Sequence, residues 1–348
     1  MEWRVVYSEK YEWVDYGRNH PLQADRFKNT RALIKEEVPE AQFVEAKKFS
    51  PEILRKAHSP EYIERVKEAG KSGRSLSVDT PAFPKIYEWG VVSVYGSLTA
   101  GTLILEGKQV TFNPCGGWHH AGRNSGGGFC VFNDIAILAK YLIEKGRKPV
   151  IIDIDAHAGD GTMHILEEEP ILKISIHQDP STFYPGDGFI NQVGKGRGVG
   201  YTVNVPLPPG SDDGCLLYVF DKLVAKLLET YDFDVILFQS GVDGHIKDPL
   251  SDLRYTGVGY VKVAEKLKEA GVPIVMVGGG GYQNTHTPLL WLGILLNLIG
   301  REEKALEITQ QADGFSDILS EGSCLEMTTE IVKDITKKHP SFYSSKSI

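Results

Sequence analysis

The 348-residue chain is expected to fold as one α/β domain, a wound parallel sheet with helices on both faces. Three observations predict this. Short apolar runs rich in β-branched residues recur at 109–113 (QVTFN), 148–155 (KPVIIDID), 172–176 (LKISI), 234–240 (DVILFQS) and 272–278 (VPIVMVG). Runs that are apolar throughout suit strands buried on both faces, as in a parallel sheet. Helical patterns at 133–146, 214–231 and 259–271 lie among these runs, and no repeat, low-complexity tract or Pro/Ser linker divides residues 1–348.

Taken in order, the strand at 109–113 leads into a glycine-rich segment and then the helix at 133–146, with Asn133 as its N-cap and Gly146 as its stop. The strands at 148–155 and 172–176 follow, then the helix at 214–231 and the strand at 234–240. The helix at 259–271 stops at Gly271, before the strand at 272–278. PLLWLGILLNLIG (288–300) is too short for a membrane span and reads as a buried helix. Residues 338–348 read as a flexible tail. The long irregular segments 114–132, 156–162, 177–213, 240–257 and 278–288 all follow strands. In open parallel sheets ligands bind beyond the carboxyl ends of the strands, where such loops gather.

Composition narrows the function. A net charge of −8 argues against general nucleic-acid or anionic-membrane binding, and admits a cationic substrate. Four scattered cysteines (Cys115, Cys130, Cys215, Cys324), none in a Cys-x-x-Cys pair, exclude a disulfide scaffold or thiolate zinc ribbon and fit a reduced, cytoplasmic protein. The N-terminus lacks the basic start and apolar core of a signal peptide.

The strand-end loops carry the chemistry. VIIDIDAHAGDG (150–161) packs Asp153, Asp155, His157 and Asp160 into eight positions. Carboxylates this close raise one another's pKa unless positive charge offsets them. Spacing alone leaves a solvated turn and a metal or catalytic site both open; position after a buried strand favours the site. CGGWHHAGRNSGGGFC (115–130) places His119 and His120 side by side among glycines, GVDGHIKDP follows the 234–240 strand with Asp243, and GGGGY presents Tyr282. Asp155, His157 and Asp243 make a two-carboxylate, one-imidazole set for a divalent metal with open positions. His119 and His120 suit proton transfer, Tyr282 suits an oxyanion, and Asp153 and Asp160 suit orienting the imidazoles. His164, His177 and His245 read as structural. VGKGRG (193–198) and GGGG lack the spacing of phosphate and dinucleotide loops.

GGWHHA, GGGFC.FND, DIDAHAGDG, GKGRGVGYTVNVPL, SGVDGH..DPL and GGGGY, in this order, resemble the zinc-dependent histone deacetylase family, class I-like, with its bacterial and archaeal acetoin-utilisation-type relatives. The likeness runs from HPLQADRF (20–27) to the tyrosine loop. It implies an arginase/deacetylase fold with about eight parallel strands. It implies zinc on Asp155, His157 and Asp243, and an acid–base pair at His119 and His120. Asp153 and Asp160 stand behind the two imidazoles, and Tyr282 polarises the substrate carbonyl. Gly128, Phe129 and Tyr184 match the acyl-lysine tunnel, Asp79 the rim aspartate that grips substrate backbone, and Arg26 the arginine of an internal acetate channel. A potassium site would use groups of Asp153, Asp155, His157, Ser175 and Ile176.

The family pattern is His-His-Gly after the metal strand, whereas here Ala158 follows His157, so packing or pocket polarity is expected to differ. The resemblance implies removal of acetyl or short acyl groups from lysine side chains of proteins, by a chain that acts alone or in oligomers. An acetylpolyamine or other small acylated amine is the alternative substrate, and Leu250, where such enzymes carry an acid at the pocket mouth, favours acyl-lysine. A ureohydrolase would need a second aspartate pair near 243; a scaffold protein would not need every catalytic position filled. The ligand types admit Fe2+ as well as Zn2+.

Overall fold

The computed structural model describes residues 1–315, 317–320, 322 and 324–340. The N-terminal third supplies β1 (Trp3–Tyr7), α1 (Asp25–Glu37), β2 (Phe43–Glu45), α2 (Pro60–Ser72) and α3 (Ile86–Leu105). Next come β3 (Val110–Asn113), α4 (Asp134–Glu144), β4 (Pro149–Asp153), α5 (Asp160–Ile165), β5 (Lys173–Gln178) and β6 (Thr202–Leu207). The remainder is α6 (Asp213–Val219), α7 (Ala225–Thr230), β7 (Val235–Gln239), α8 (Gly257–Lys268), β8 (Ile274–Val277), α9 (His286–Leu298), α10 (Glu302–Asp313) and α11 (Leu325–Lys338).

All eight strands run parallel in one sheet, ordered β2-β1-β3-β8-β7-β4-β5-β6. The five apolar runs are the five contiguous strands β3, β8, β7, β4 and β5. Of the other three, β2 and β6 form the two edges and β1 lies between β2 and β3. β6 lies within 177–213, which the sequence reads as irregular: its Asn204 and Pro206 interrupt the apolar run, and an edge strand tolerates proline because one side of its ladder is unpaired. α11 packs against β6 and covers that edge.

The helices differ from expectation in instructive ways. Asn133 caps α4, its side chain accepting the Ala136 N–H (2.9 Å), and Gly146 follows the helix at φ +78. The predicted 214–231 helix is continuous but contains a π-helical turn over Phe220–Val224. α8 begins two residues earlier than predicted, capped by Thr256. The expected 156–162 loop gives way to α5 from Asp160. No polarity rhythm marks α3 in the sequence: it is buried on nearly every side, so it has no polar stripe. Its Gly96 lets β1-flanking Tyr11 approach, since a Cβ there would lie 2.0 Å from the Tyr11 hydroxyl. Of the tail predicted at 338–348, Lys338 closes α11 and His339 is buried with Nε2 2.5 Å from the Thr202 carbonyl; 341–348 lie outside the described residues.

Candidate active site

β4 and β7 are neighbours, so the loops leaving their carboxyl ends meet. After β4 the chain folds through two short side-chain-to-backbone turns: Asp153 Oδ1 accepts the Asp155 N–H and Asp155 Oδ1 accepts the His157 N–H, each at 3.1 Å. Asp243, four residues past β7, accepts the Ala156 N–H (2.8 Å) and ties the two loops together. The other Asp155 oxygen takes N–H donors from Gly280 and the Gln239 side chain, both at 2.7 Å. Glycine is required at 280, where a Cβ would sit 2.0 Å from Asp243 Oδ2.

The result is a buried cluster in which ligand atoms of Asp155, His157 and Asp243 all lie within 4.8 Å of one another. His157 Nδ1 is 3.1 Å from Asp155 Oδ1 and 2.9 Å from Asp243 Oδ2, and Phe183 stacks on its ring at 4.6 Å. Burial opposes charge on this imidazole, but the two carboxylates outweigh it and raise its pKa to about 10. Burial, then Asp155, pushes Asp243 up to about 6. Two desolvated carboxylates that share one imidazole thus attract positive charge, and this donor set fits a divalent cation. Among the described residues it is the only such cluster, so the second acidic pair of a two-metal ureohydrolase is absent there.

Beside it stand the paired imidazoles. His119 Nδ1 meets Asp153 Oδ2 and His120 Nδ1 meets Asp160 Oδ1, each at 2.7 Å, while the two Nε2 atoms are 3.1 Å apart. Burial disfavours charge on both. Asp153 and Asp155 reverse this at His119, raising it to about 9; His120, with the cationic His119 beside it, is lowered to about 4. The pair therefore holds one proton asymmetrically at neutral pH. The loop that carries them is fixed by Asp134, which accepts the Gly117 and Trp118 N–H groups (3.1 and 2.8 Å).

A family model described as the histone deacetylase domain matches residues 20–298. The chain belongs to the histone deacetylase family. It is similar to a probable deacetylase of Archaeoglobus fulgidus, 29% identical over 97% of this chain and 98% of that protein. It is also similar to the acetoin utilization protein AcuC of Bacillus subtilis, 32% identical over 85% of this chain and 81% of that one. The solved structure of an HDAC homolog from Aquifex aeolicus aligns with a TM-score of 0.81 at 27% identity, covering 96% of this chain and 100% of that chain. The eight-stranded parallel sheet is accordingly the arginase/deacetylase fold of this family.

The remaining candidate residues are placed as follows. Tyr282 leaves β8 on its glycine loop; burial, then Asp243 and Asp155, holds its phenol pKa well above the usual value. Its ring meets Phe129 edge-on at 5.5 Å. Tyr184 stands 5.0 Å from the His120 ring and 6.1 Å from that of His157, and Gly128 touches His120: a Cβ on it would lie 2.2 Å from Cδ2. Arg26 is buried behind Tyr282, 5.9 Å from its ring; Nη1 donates to the Gly281 carbonyl (3.0 Å), whereas Nε and Nη2 find no protein acceptor. Leu250 is half-buried, its N–H donating to Asp248 (3.0 Å). Ser175 pairs in register with Asp153 across β4 and β5, but its hydroxyl lies 2.8 Å from His177 Nδ1; Ile176 is buried beside it. Asp79 is half-buried and accepts the Gly128 N–H (3.1 Å).

Two further residues shape the site without a role assigned to them from the sequence. Gln239 closes an apolar strand and steadies Asp155; Asp248, which opens the DPL of the SGVDGH..DPL motif, accepts the Tyr282 N–H (2.7 Å). His245 pairs with buried Asp313 (2.8 Å) and His177 with the Gly188 carbonyl (2.9 Å), both consistent with structural roles. Ala158 abuts Gly188, where a Cβ would lie 2.5 Å from its own, so the turn at 187–189 fills the space a second histidine would need.

Proposed function

We propose that this deacetylase-family chain is a metal-dependent amidohydrolase that removes acetyl or short acyl groups from amines, foremost the ε-amine of lysine in proteins. The observation that carries this reading is the buried Asp155–His157–Asp243 cluster facing an oriented pair of imidazoles. Those three residues would hold Zn2+, with Fe2+ admitted by the same ligand types. A divalent cation there supplies Lewis acidity towards the acyl carbonyl and lowers the pKa of water.

The protein's own groups do the rest. His120 is neutral and accepts a proton from water; the same imidazole then passes it to the departing amine. Asp160 holds the His120 ring in orientation, and Asp153 keeps His119 cationic beside it. The Tyr282 hydroxyl, protonated at all working pH values, donates to the oxygen that gains charge. Gly128, Phe129 and Tyr184 wall the acyl tunnel, and Arg26 faces the released carboxylate. Potassium would bind beside Asp153, Asp155, His157, Ser175 and Ile176 and offset the crowded carboxylates. The apolar Leu250 favours acyl-lysine over acetylpolyamines, and the four scattered cysteines fit a reduced, cytoplasmic setting in which the chain would act on protein, as a monomer or an oligomer.

The test is hydrolysis of a fluorogenic acetyl-lysine peptide by Zn2+-loaded protein with and without chelator. Turnover that chelator abolishes and Zn2+ restores supports the reading. Loaded protein that is inert towards this peptide, acetylpolyamines and longer acyl-lysines overturns it.

A further inference from the structure

Phe129 is the only residue other than glycine with a left-handed backbone among the described residues (φ +67), and Gly128 before it is left-handed too (φ +53). A side chain in this region costs backbone energy that the surroundings must supply. The turn stands at a sensitive place: Gly128 lies against His120, and the Phe129 ring meets Tyr282 at 5.5 Å and His20 at 4.4 Å.

Nearly every polar group of this turn is tied from outside it. The Gly128 N–H donates to Asp79 Oδ2 and the Phe129 N–H to Thr80 Oγ1, each at 3.1 Å. Thr80 passes its own proton to Asp79 Oδ1 (3.0 Å), and Ser77 Oγ donates to the same oxygen (2.5 Å). The Tyr16 hydroxyl donates to the Phe129 carbonyl (2.8 Å). Burial opposes charge on Asp79, yet its three donors hold the carboxyl below the usual range. A carboxylate has about four acceptor positions, and three are already engaged by the protein itself.

We propose that Asp79 and Thr80 are positioning residues whose hydrogen bonds hold the strained Gly128–Phe129 turn, and with it the acyl-tunnel wall, a role separate from any contact of Asp79 with the backbone of a peptide substrate. The proposal rests on the amide-hydrolase reading of the tunnel. Thr80 separates the two roles because it is fully buried and out of any substrate's reach.

The experiment compares wild type with Thr80→Val, Thr80→Ser and Asp79→Ala on two substrates: an acetyl-lysine peptide and N-acetyl-1,5-diaminopentane, which has no peptide groups beside its acyl chain. Hydrogen exchange of the segment 126–131 is followed in parallel. Thr80→Val and Asp79→Ala are expected to raise KM by ~10-fold or more on both substrates alike, with kcat changed less, and to speed exchange in that segment. Thr80→Ser, which keeps the hydroxyl, stays near wild type. Loss confined to the peptide in Asp79→Ala, with Thr80→Val unchanged in kinetics and exchange, overturns the proposal. If Thr80→Val does not fold, Tyr16→Phe removes one tether only; raised KM and faster exchange support the proposal, and no change in either overturns it. Wild type inert on both substrates counts against the amide-hydrolase reading alone, and the exchange comparison still decides the role of Asp79 and Thr80.

Discussion

Tyr282→Phe removes one hydrogen-bond donor and leaves the rest of the site in place. Among the described residues the phenol hydroxyl donates to no protein acceptor, so no partner is orphaned. The ring keeps its contact with Phe129 at 5.5 Å, and the backbone keeps its bond to Asp248 at 2.7 Å. Folding stability should therefore change by less than ~0.5 kcal/mol, within the range of a substitution that loses no buried contact. On the proposed mechanism the hydroxyl matters only when charge develops on the acyl oxygen. A single preorganised donor of this kind is worth roughly 100- to 1000-fold in kcat, or about 3–4 kcal/mol of barrier. KM should stay within about threefold, because the interaction is made in the transition state and not in the ground state. The assay is steady-state hydrolysis of an acetyl-lysine peptide by metal-loaded protein, paired with thermal melts of both proteins. A fall in kcat below about tenfold, or one matched by a lower Tm, refutes the role given to Tyr282.

Three further outcomes follow from the geometry. His58 accepts the Asn133 N–H on Nε2 (2.9 Å) and faces the Gly122 carbonyl with Nδ1 (2.9 Å), so it must be neutral; burial lowers its pKa to about 4 from 6.5. Its contribution is whole above pH 6.5 and is lost as pH falls towards 4, because the unfolded chain takes the proton first, by up to ~3 kcal/mol. Urea unfolding of wild type and His58→Gln should give stability curves that converge over this window; parallel curves would sink the assignment. His157, held at about 10 by its two carboxylates against burial, must lose its proton to ligate, so Zn2+ binding near pH 8 should release about one proton. Calorimetry in buffers of different ionisation enthalpy measures that number, and zero release contradicts the cluster's charge state. Ala158→His should destabilise the fold by ~1–3 kcal/mol through overpacking against Gly188 and His177, seen as a lower Tm with metal binding retained. An unchanged Tm would mean that the turn at 187–189 yields freely.

What was legible in the sequence follows from burial. β3, β8, β7, β4 and β5 are covered on both faces and are written as short runs rich in β-branched and other apolar residues, broken in β5 by Lys173 and Ser175, so they stand out. β1 and β2 are only partly buried, and β6 carries Asn204 and Pro206, so their composition resembles loop. α3 hides for the opposite reason: burial on nearly all sides erases the 3.6-residue polarity rhythm, and its glycines and β-branched residues argue against helix one by one. At the site, Asp153, Asp155, His157, His119, His120 and Tyr282 are legible because their residue types crowd into strand-end loops. The roles of Gln239 and Asp248 are not: Asp248 lies in the SGVDGH..DPL motif, but an amide and a loop carboxylate acquire a role only from the N–H groups and oxygens that the fold brings to them.

The carboxylates that crowd this pocket divide into those satisfied by the protein and those left in excess. Asp134 is buried, yet backbone N–H groups and the Ser97 hydroxyl answer it, so it anchors a loop and demands no ion. Asp153 and Asp160 each face an imidazole nitrogen at 2.7 Å, and so spend their charge on orienting the histidine pair. Asp248 accepts two backbone N–H groups, and burial raises its pKa to about 7, which removes much of its charge near neutrality. Only Asp155 and Asp243 share a single imidazole between two carboxylates. One imidazolium cannot balance two carboxylates, and burial makes the charge left over costly. On the proposed function a divalent cation held there would offset that excess beside the paired histidines, so one ion would meet both the electrostatic need of the fold and the chemical need of the reaction.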